Sequence, residues 1–155
     1  MTLPKDRVPY SAIVDRPQLV LPDGARIVVW IIVNVEEWGI ERTMPRTVLT
    51  PPMGKPLMPD LPNWAWHEYG MRVGIWRIID ALEKRNIKAS ASINATVCEG
   101  AGEPVAAAIR DLGWDFMGHG YAQTAMHIVE DQQGVIQKAF DVLKEYTGKA
   151  PKGWL

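Results

Sequence analysis

The sequence holds a single cysteine, Cys98, among 155 residues. A lone thiol cannot close an internal disulfide, which fits a reducing compartment and makes the cytoplasm the expected location. No charge of one sign dominates: 17 Lys and Arg stand against 18 Asp and Glu, and no basic block occurs. Neither nucleic acid nor an anionic membrane is recommended as a partner. Apolar runs are short. The longest, residues 27–33, falls far below the length that spans a bilayer. The opening stretch "MTLPKDRVPYSAIV" lacks the charged-then-apolar layout of a secretory signal. Internal repeats and low-complexity segments are missing too.

What is present is ordinary globular material, 47% hydrophobic and 23% charged, long enough for one domain with a sizeable core. Seven tryptophans are many for this length and imply large aromatic surfaces in a core or around a pocket. Residues 1–25 show no sustained period and read as an extended arm, with the domain occupying 26–155. Residues 26–35 are apolar on both faces, the pattern of a central parallel strand covered on each side. Residues 39–68 carry six prolines, which are expected to exclude a regular helix or an interior strand; the aromatic and apolar content suggests a loop that packs over something.

Beyond the loop, Val73, Trp76, Ile79 or Asp80, and Leu82 with Glu83 follow helical spacing up to a stop at Asn86. "IKASASINATVCE" then alternates strictly: Ile87, Ala89, Ala91, Ile93, Ala95 and Val97 share one face, and Lys88, Ser90, Ser92, Asn94 and Thr96 the other. The small polar face suits a barrel mouth or cleft. A helix is expected over 103–112, a short strand in "GWDFMGHG" ending at His119, and a helix over 131–147 with Val135, Ile136, Ala139, Phe140, Val142 and Leu143 inward. Gly148 supplies its stop. Strand, helix, strand, helix, strand, helix in this order predicts right-handed crossovers and a parallel α/β sheet.

Ligands of parallel α/β folds gather at the carboxyl ends of strands. Those ends carry Asn34, Glu36 and Glu37, then Thr96, Cys98 and Glu99, then His119. If the strands lie side by side, two carboxylates and an imidazole converge on one rim, a set suited to hydrolysis. Like charges in adjacent carboxylates push one pKa upward, which tunes a base toward neutrality. The same residues also fit blander roles. An acidic pair past a strand is equally a solvated loop start, and a His in a glycine-flanked turn is commonly structural. Cys98 reads as a small buried residue, His67 and His127 as surface residues, and Trp64 with Trp66 as loop packing.

Taken together, "NVEEWG", "EYGMRVGIWRIIDALEKRNIKASASINATV" and "GWDFMGHGYAQT" resemble the amino-terminal half of the polysaccharide deacetylase superfamily, and within it the allantoinase-like or cyclic-imidase-like branch. The resemblance covers roughly residues 26–126. It implies half of a distorted (β/α)7 barrel (NodB-like, related to the TIM barrel), incomplete in this chain, that hydrolyses a carbon–nitrogen bond in ureides, cyclic imides or N-acetylated sugars. The family's acidic pair falls on Glu36 as catalytic base and Glu37 as metal ligand, with His119 as the first metal-binding His. Its second His is replaced here by Gln123, so a divalent metal such as zinc, held by Glu37 and His119, would be weakly bound. Asn34, Gln123, Trp38 and Tyr121 are the expected substrate-binding residues.

The family's third motif would begin near Gly153 and Trp154, and its later motifs, with the acid His, lie outside the chain. A non-catalytic subunit that keeps the fold is the competing expectation. Three β/α units cannot close a barrel, so the exposed sheet edges predict association with another copy or with a complementary segment.

Overall fold

In the computed structural model, the described residues are 9–44, 48–55 and 57–155. Three strands, β1 (Ile32–Val35), β2 (Ser90–Ile93) and β3 (Asp115–Gly118), form a parallel sheet in the order β1-β2-β3. The register pairs Val35 with Ile93 and Ile93 with Gly118, so all three strands end level. A fourth strand position is begun by the parallel bridge from Gly118 to Trp154.

The helices are α1 (Leu61–Tyr69), α2 (Ile75–Glu83), α3 (Glu103–Asp111) and α4 (Gln132–Thr147). A π-helical turn, Gly70–Gly74, joins α1 to α2. Ile75 and Ile79 of α2, Val105, Ala106 and Ile109 of α3, and Ala139 and Leu143 of α4 close on Ala91 and Ile93 of β2. The apolar half of the β2 alternation is therefore the core of the molecule. Asp131 caps α4 through Gly134 N at 2.8 Å, and Gly148 ends it with φ +70°, a left-handed conformation that favours glycine.

Several expectations need correction. Residues 26–31 are not part of the strand, and β1 is the edge of the sheet rather than its centre. Val28 and Val29 are 70% and 80% exposed, so the apolar run lies along an uncovered edge. The strand read over 87–97 is regular only at Ser90–Ile93 and turns into a 3-10 segment, Ala95–Cys98. Its polar face is not open to a cleft, because Ser92 and Asn94 are fully buried. Ile136 is exposed on α4.

The proline-rich loop contains a helix after all. Pro62 sits in the first turn of α1, where a missing N–H costs nothing, and Asp60 caps that turn by accepting from Asn63 N at 3.2 Å. The rest of the loop packs only in part where it is described: Met44 is buried and Asn63 holds both main-chain groups of Leu49, whereas Val48, Leu49, Met53, Leu57 and Met58 are exposed. Residues 1–8 of the arm and 45–47 and 56 of the loop lie outside the described residues.

Candidate active site

The level strand ends build one lip. Glu36 follows β1, Asn94 follows β2 and His119 follows β3, each directly beyond its strand's last residue. The ladder continues past the strands, with Asn94 N donating to Val35 O at 3.1 Å and His119 N to Ile93 O at 3.2 Å. Two loops then cross the lip and meet where Arg42 donates to the Thr124 hydroxyl at 2.5 Å.

Glu36 Oε1 and His119 Nε2 stand 3.2 Å apart, both side chains partly buried. The other ring nitrogen, Nδ1, lies 2.9 Å from the main-chain oxygen of Leu155. That oxygen can only accept, so Nδ1 carries a proton. Nε2 facing an ionised Glu36 needs a proton as well. The pair is therefore an imidazolium with a carboxylate, or a neutral imidazole with a protonated carboxyl, and one proton is shared between them. The hydrogen bond from His119 holds the Glu36 pKa below the usual carboxylate value, against an upward push from burial; His67 and Trp38 add weaker downward pulls. The bond to Glu36 raises His119 above an ordinary imidazole, helped by the Leu155 oxygen.

This reverses an expectation. Glu36 is lowered, not raised, because its neighbour in space is an imidazole and not Glu37. The Glu37 carboxylate turns instead to the backbone at Gly100, where an added Cβ would sit 3.3 Å from Oε1. Among the described residues His119 forms its ion pair with Glu36 and not with Glu37. Gln123 Oε1 is occupied as acceptor from Asn94 Nδ2 at 3.0 Å, and among the described residues no three His, Cys, Asp or Glu side chains converge to hold a metal ion. These donors do not make a metal centre as they stand.

The remaining expected residues divide. Trp38 is at the site: its ring stacks on His67 with centroids 4.7 Å apart, and its carbonyl accepts from Trp64 Nε1 at 3.0 Å. Tyr121 points its hydroxyl at Glu99 Oε2, 3.0 Å away, with Lys138 over its ring. Asn34 is exposed in the middle of β1, with no hydrogen bond to the Glu36–His119 pair. Cys98 is buried and its thiol is pushed up to about 12, first by burial, so it is no nucleophile. His127 is exposed, as expected.

Two residues at the lip were not anticipated as site residues. His67 was read as a surface residue, but α1 carries it against Trp38, and its buried Nε2 has no partner among the described residues. Without the helix, no sequence signal marks it. Asn94 was placed only on the polar face of β2. It is fully buried and joins all three strand ends, with Oδ1 accepting from Glu37 N at 3.0 Å and Nδ2 donating to His119 O and to Gln123. Its position, a polar residue just past a buried strand, was the available signal. The cleft lined by Trp30, Ser90, Trp114, Met117 and Gly153 includes residues that precede or begin β2 and β3, at the opposite end of the sheet from this lip.

No protein-family model and no curated protein matches the chain. Solved structures do. The Puue allantoinase superposes with a TM-score of 0.76 at 25% identity over 99% of this chain. A probable polysaccharide deacetylase from Pseudomonas aeruginosa PAO1 superposes with a TM-score of 0.65 at 25% identity over 81% of this chain. The chain spans about half of either structure, 53% and 45% respectively.

Proposed function

We propose that this chain, which has the fold of the deacetylase/allantoinase-like superfamily over half of its barrel, carries the carboxylate–imidazole part of a carbon–nitrogen hydrolase site. The substrates proposed are ureides, cyclic imides or N-acetylated sugars. The observation that carries the reading is the 3.2 Å contact of Glu36 with His119, two residues 83 positions apart brought to one lip by parallel strands.

The chemistry follows from the shared proton. Ionised Glu36 takes a proton from water as the oxygen attacks the carbonyl carbon. The tetrahedral centre collapses with loss of the C–N bond, and the leaving nitrogen receives a proton from the Glu36–His119 pair. Water is consumed and the pair ends with the protons it began with. His119 keeps Glu36 ionised at neutral pH and is itself oriented by the Leu155 oxygen. No step is routed through a metal; the roles rest on Glu36 and His119 alone.

The test is hydrolysis of a ureide, a cyclic imide and an N-acetylated sugar by the full chain, with Glu36→Gln as control. Turnover that depends on Glu36 supports the reading, and turnover indifferent to that substitution removes Glu36 as the base. A non-catalytic binding subunit is the second reading, favoured by the Glu37 carboxylate lying against Gly100 rather than at His119. Calorimetric binding of the same ligands without turnover separates the two.

A further inference from the structure

We infer that Asn94 is a positioning residue that fixes the direction of the Gln123 amide, so that Gln123 offers N–H to a ligand and selects a carbonyl oxygen over a ring N–H. This deepens the hydrolase reading and rests on it for the nature of the ligand.

The argument is one of donor and acceptor identity. A carboxamide seldom reveals which end is oxygen, but its partners can. Asn94 is fully buried, and the Glu37 main-chain N–H that meets one end of its amide at 3.0 Å can only donate. That end is therefore Oδ1. The His119 main-chain oxygen at the other end can only accept, which makes that end Nδ2 by an independent route. Nδ2 has two protons; one goes to His119 O and the other to the Gln123 side chain at 3.0 Å. The Gln123 atom receiving it must be Oε1. Nε2 is then the end not engaged by Asn94, and among the described residues its protons have no protein acceptor.

A ligand carbonyl meets Nε2 as a hydrogen bond, whereas a ring N–H meets it donor to donor. Asn94 touches no ligand; it acts through Gln123. In Asn94→Asp an oxygen replaces Nδ2 and faces the His119 oxygen and Gln123 Oε1. Gln123 can relieve its share of that clash only by turning its amide over.

The probe is succinimide, titrated calorimetrically into the full chain, Asn94→Asp, Gln123→Glu and the double variant. Each single variant is expected to bind roughly tenfold more weakly, the scale of one mispaired polar contact. The double variant is expected to lose no more than the weaker single, because both act on one group. Asn94→Asp binding within twofold of the parent, or a double-variant loss equal to the product of the singles, overturns the inference.

Side-chain amide NMR of the unliganded parent protein tests the positioning independently of any ligand, and still does so if Asn94→Asp fails to fold. Slowly exchanging Asn94 Nδ2 protons beside rapidly exchanging Gln123 Nε2 protons support it, and protected Gln123 Nε2 protons overturn it. Failure of the parent to bind succinimide while the Asn94 amide protons are protected counts against the hydrolase reading and the carbonyl selection, and leaves the fixed amide direction supported.

Discussion

Glu36 Oε1 and His119 Nε2 lie 3.2 Å apart, with the second ring nitrogen of His119 held by the Leu155 oxygen. The arrangement ties the charge state of the lip to pH. Glu36 has a lowered pKa, so its contribution to stability is complete above the unfolded value of 4.5 and is lost as pH falls through the folded one. His119 has a raised pKa, so its contribution is complete below 6.5 and is lost as pH rises through the folded value. The pair stabilises most between those limits. Urea unfolding of the parent and of His119→Gln across a pH series is expected to differ most in that window, by about 1 kcal/mol for a partly exposed pair. A difference independent of pH would discount the pairing.

The two glutamates are neighbours in sequence but not in role. Glu36→Gln is expected to lower hydrolysis by about a hundredfold or more, the scale of a lost general base. Glu37→Gln is expected to cost less than about tenfold, since its carboxylate faces Gly100 and not His119. Steady-state rates of the two variants decide; equal losses would return Glu37 to the reacting centre.

His67 offers a contrast between packing and polarity. Its ring stacks on Trp38 while its buried Nε2 has no partner among the described residues. His67→Phe keeps the stack and removes the orphaned nitrogen, so the melting temperature is expected to hold or rise slightly. The Glu36 pKa is expected to rise, because the downward pull of His67 goes with it. A large fall in melting temperature would mean that His67 Nε2 has a partner after all.

Asn63 anchors the loop that follows the site. Its side chain accepts from Leu49 N at 2.8 Å and donates to Leu49 O at 3.0 Å, within a residue only 1% exposed. Asn63→Ala leaves both Leu49 groups unsatisfied and is expected to cost about 2–4 kcal/mol in chemical denaturation. A loss under about 0.5 kcal/mol would show that water replaces the side chain there.

The uncovered sheet edge makes a prediction about association. Val28, Val29 and Trp30 are 70%, 80% and 62% exposed on the segment that leads into the edge strand β1. Such an edge invites pairing. Light scattering of this chain is expected to report concentration-dependent mass that falls when Val28→Lys and Val29→Lys are combined. A monomer with a cooperative melt at every concentration would rule the association out.

The order of elements was legible because helix and strand periods are local. The alternation through Ala91 and Ile93, the stop at Gly148, and the helical spacing of Ile79 and Leu82 each depend on residues within a few positions of one another, although Trp76, read in the same spacing, is exposed. The helix at Leu61–Tyr69 was not legible, because the proline count of the whole segment masked the one permissive place, the first turn, that Pro62 occupies. His67 and Trp64 were misjudged for the same reason. The edge position of β1 was hidden too, since an apolar run reads alike whether a neighbouring strand covers it or not.

By itself, the sequence determined a parallel α/β unit whose strand ends bear two carboxylates, an amide and an imidazole, because hydrophobic period and turn chemistry act over short distances. Only the tertiary structure decided that Glu36 and not Glu37 meets His119, that this lowers its pKa, and that Asn94 binds the three strand ends together. Those outcomes depend on strand register and loop direction across as many as 83 residues, where spacing along the chain carries no information about which atoms touch.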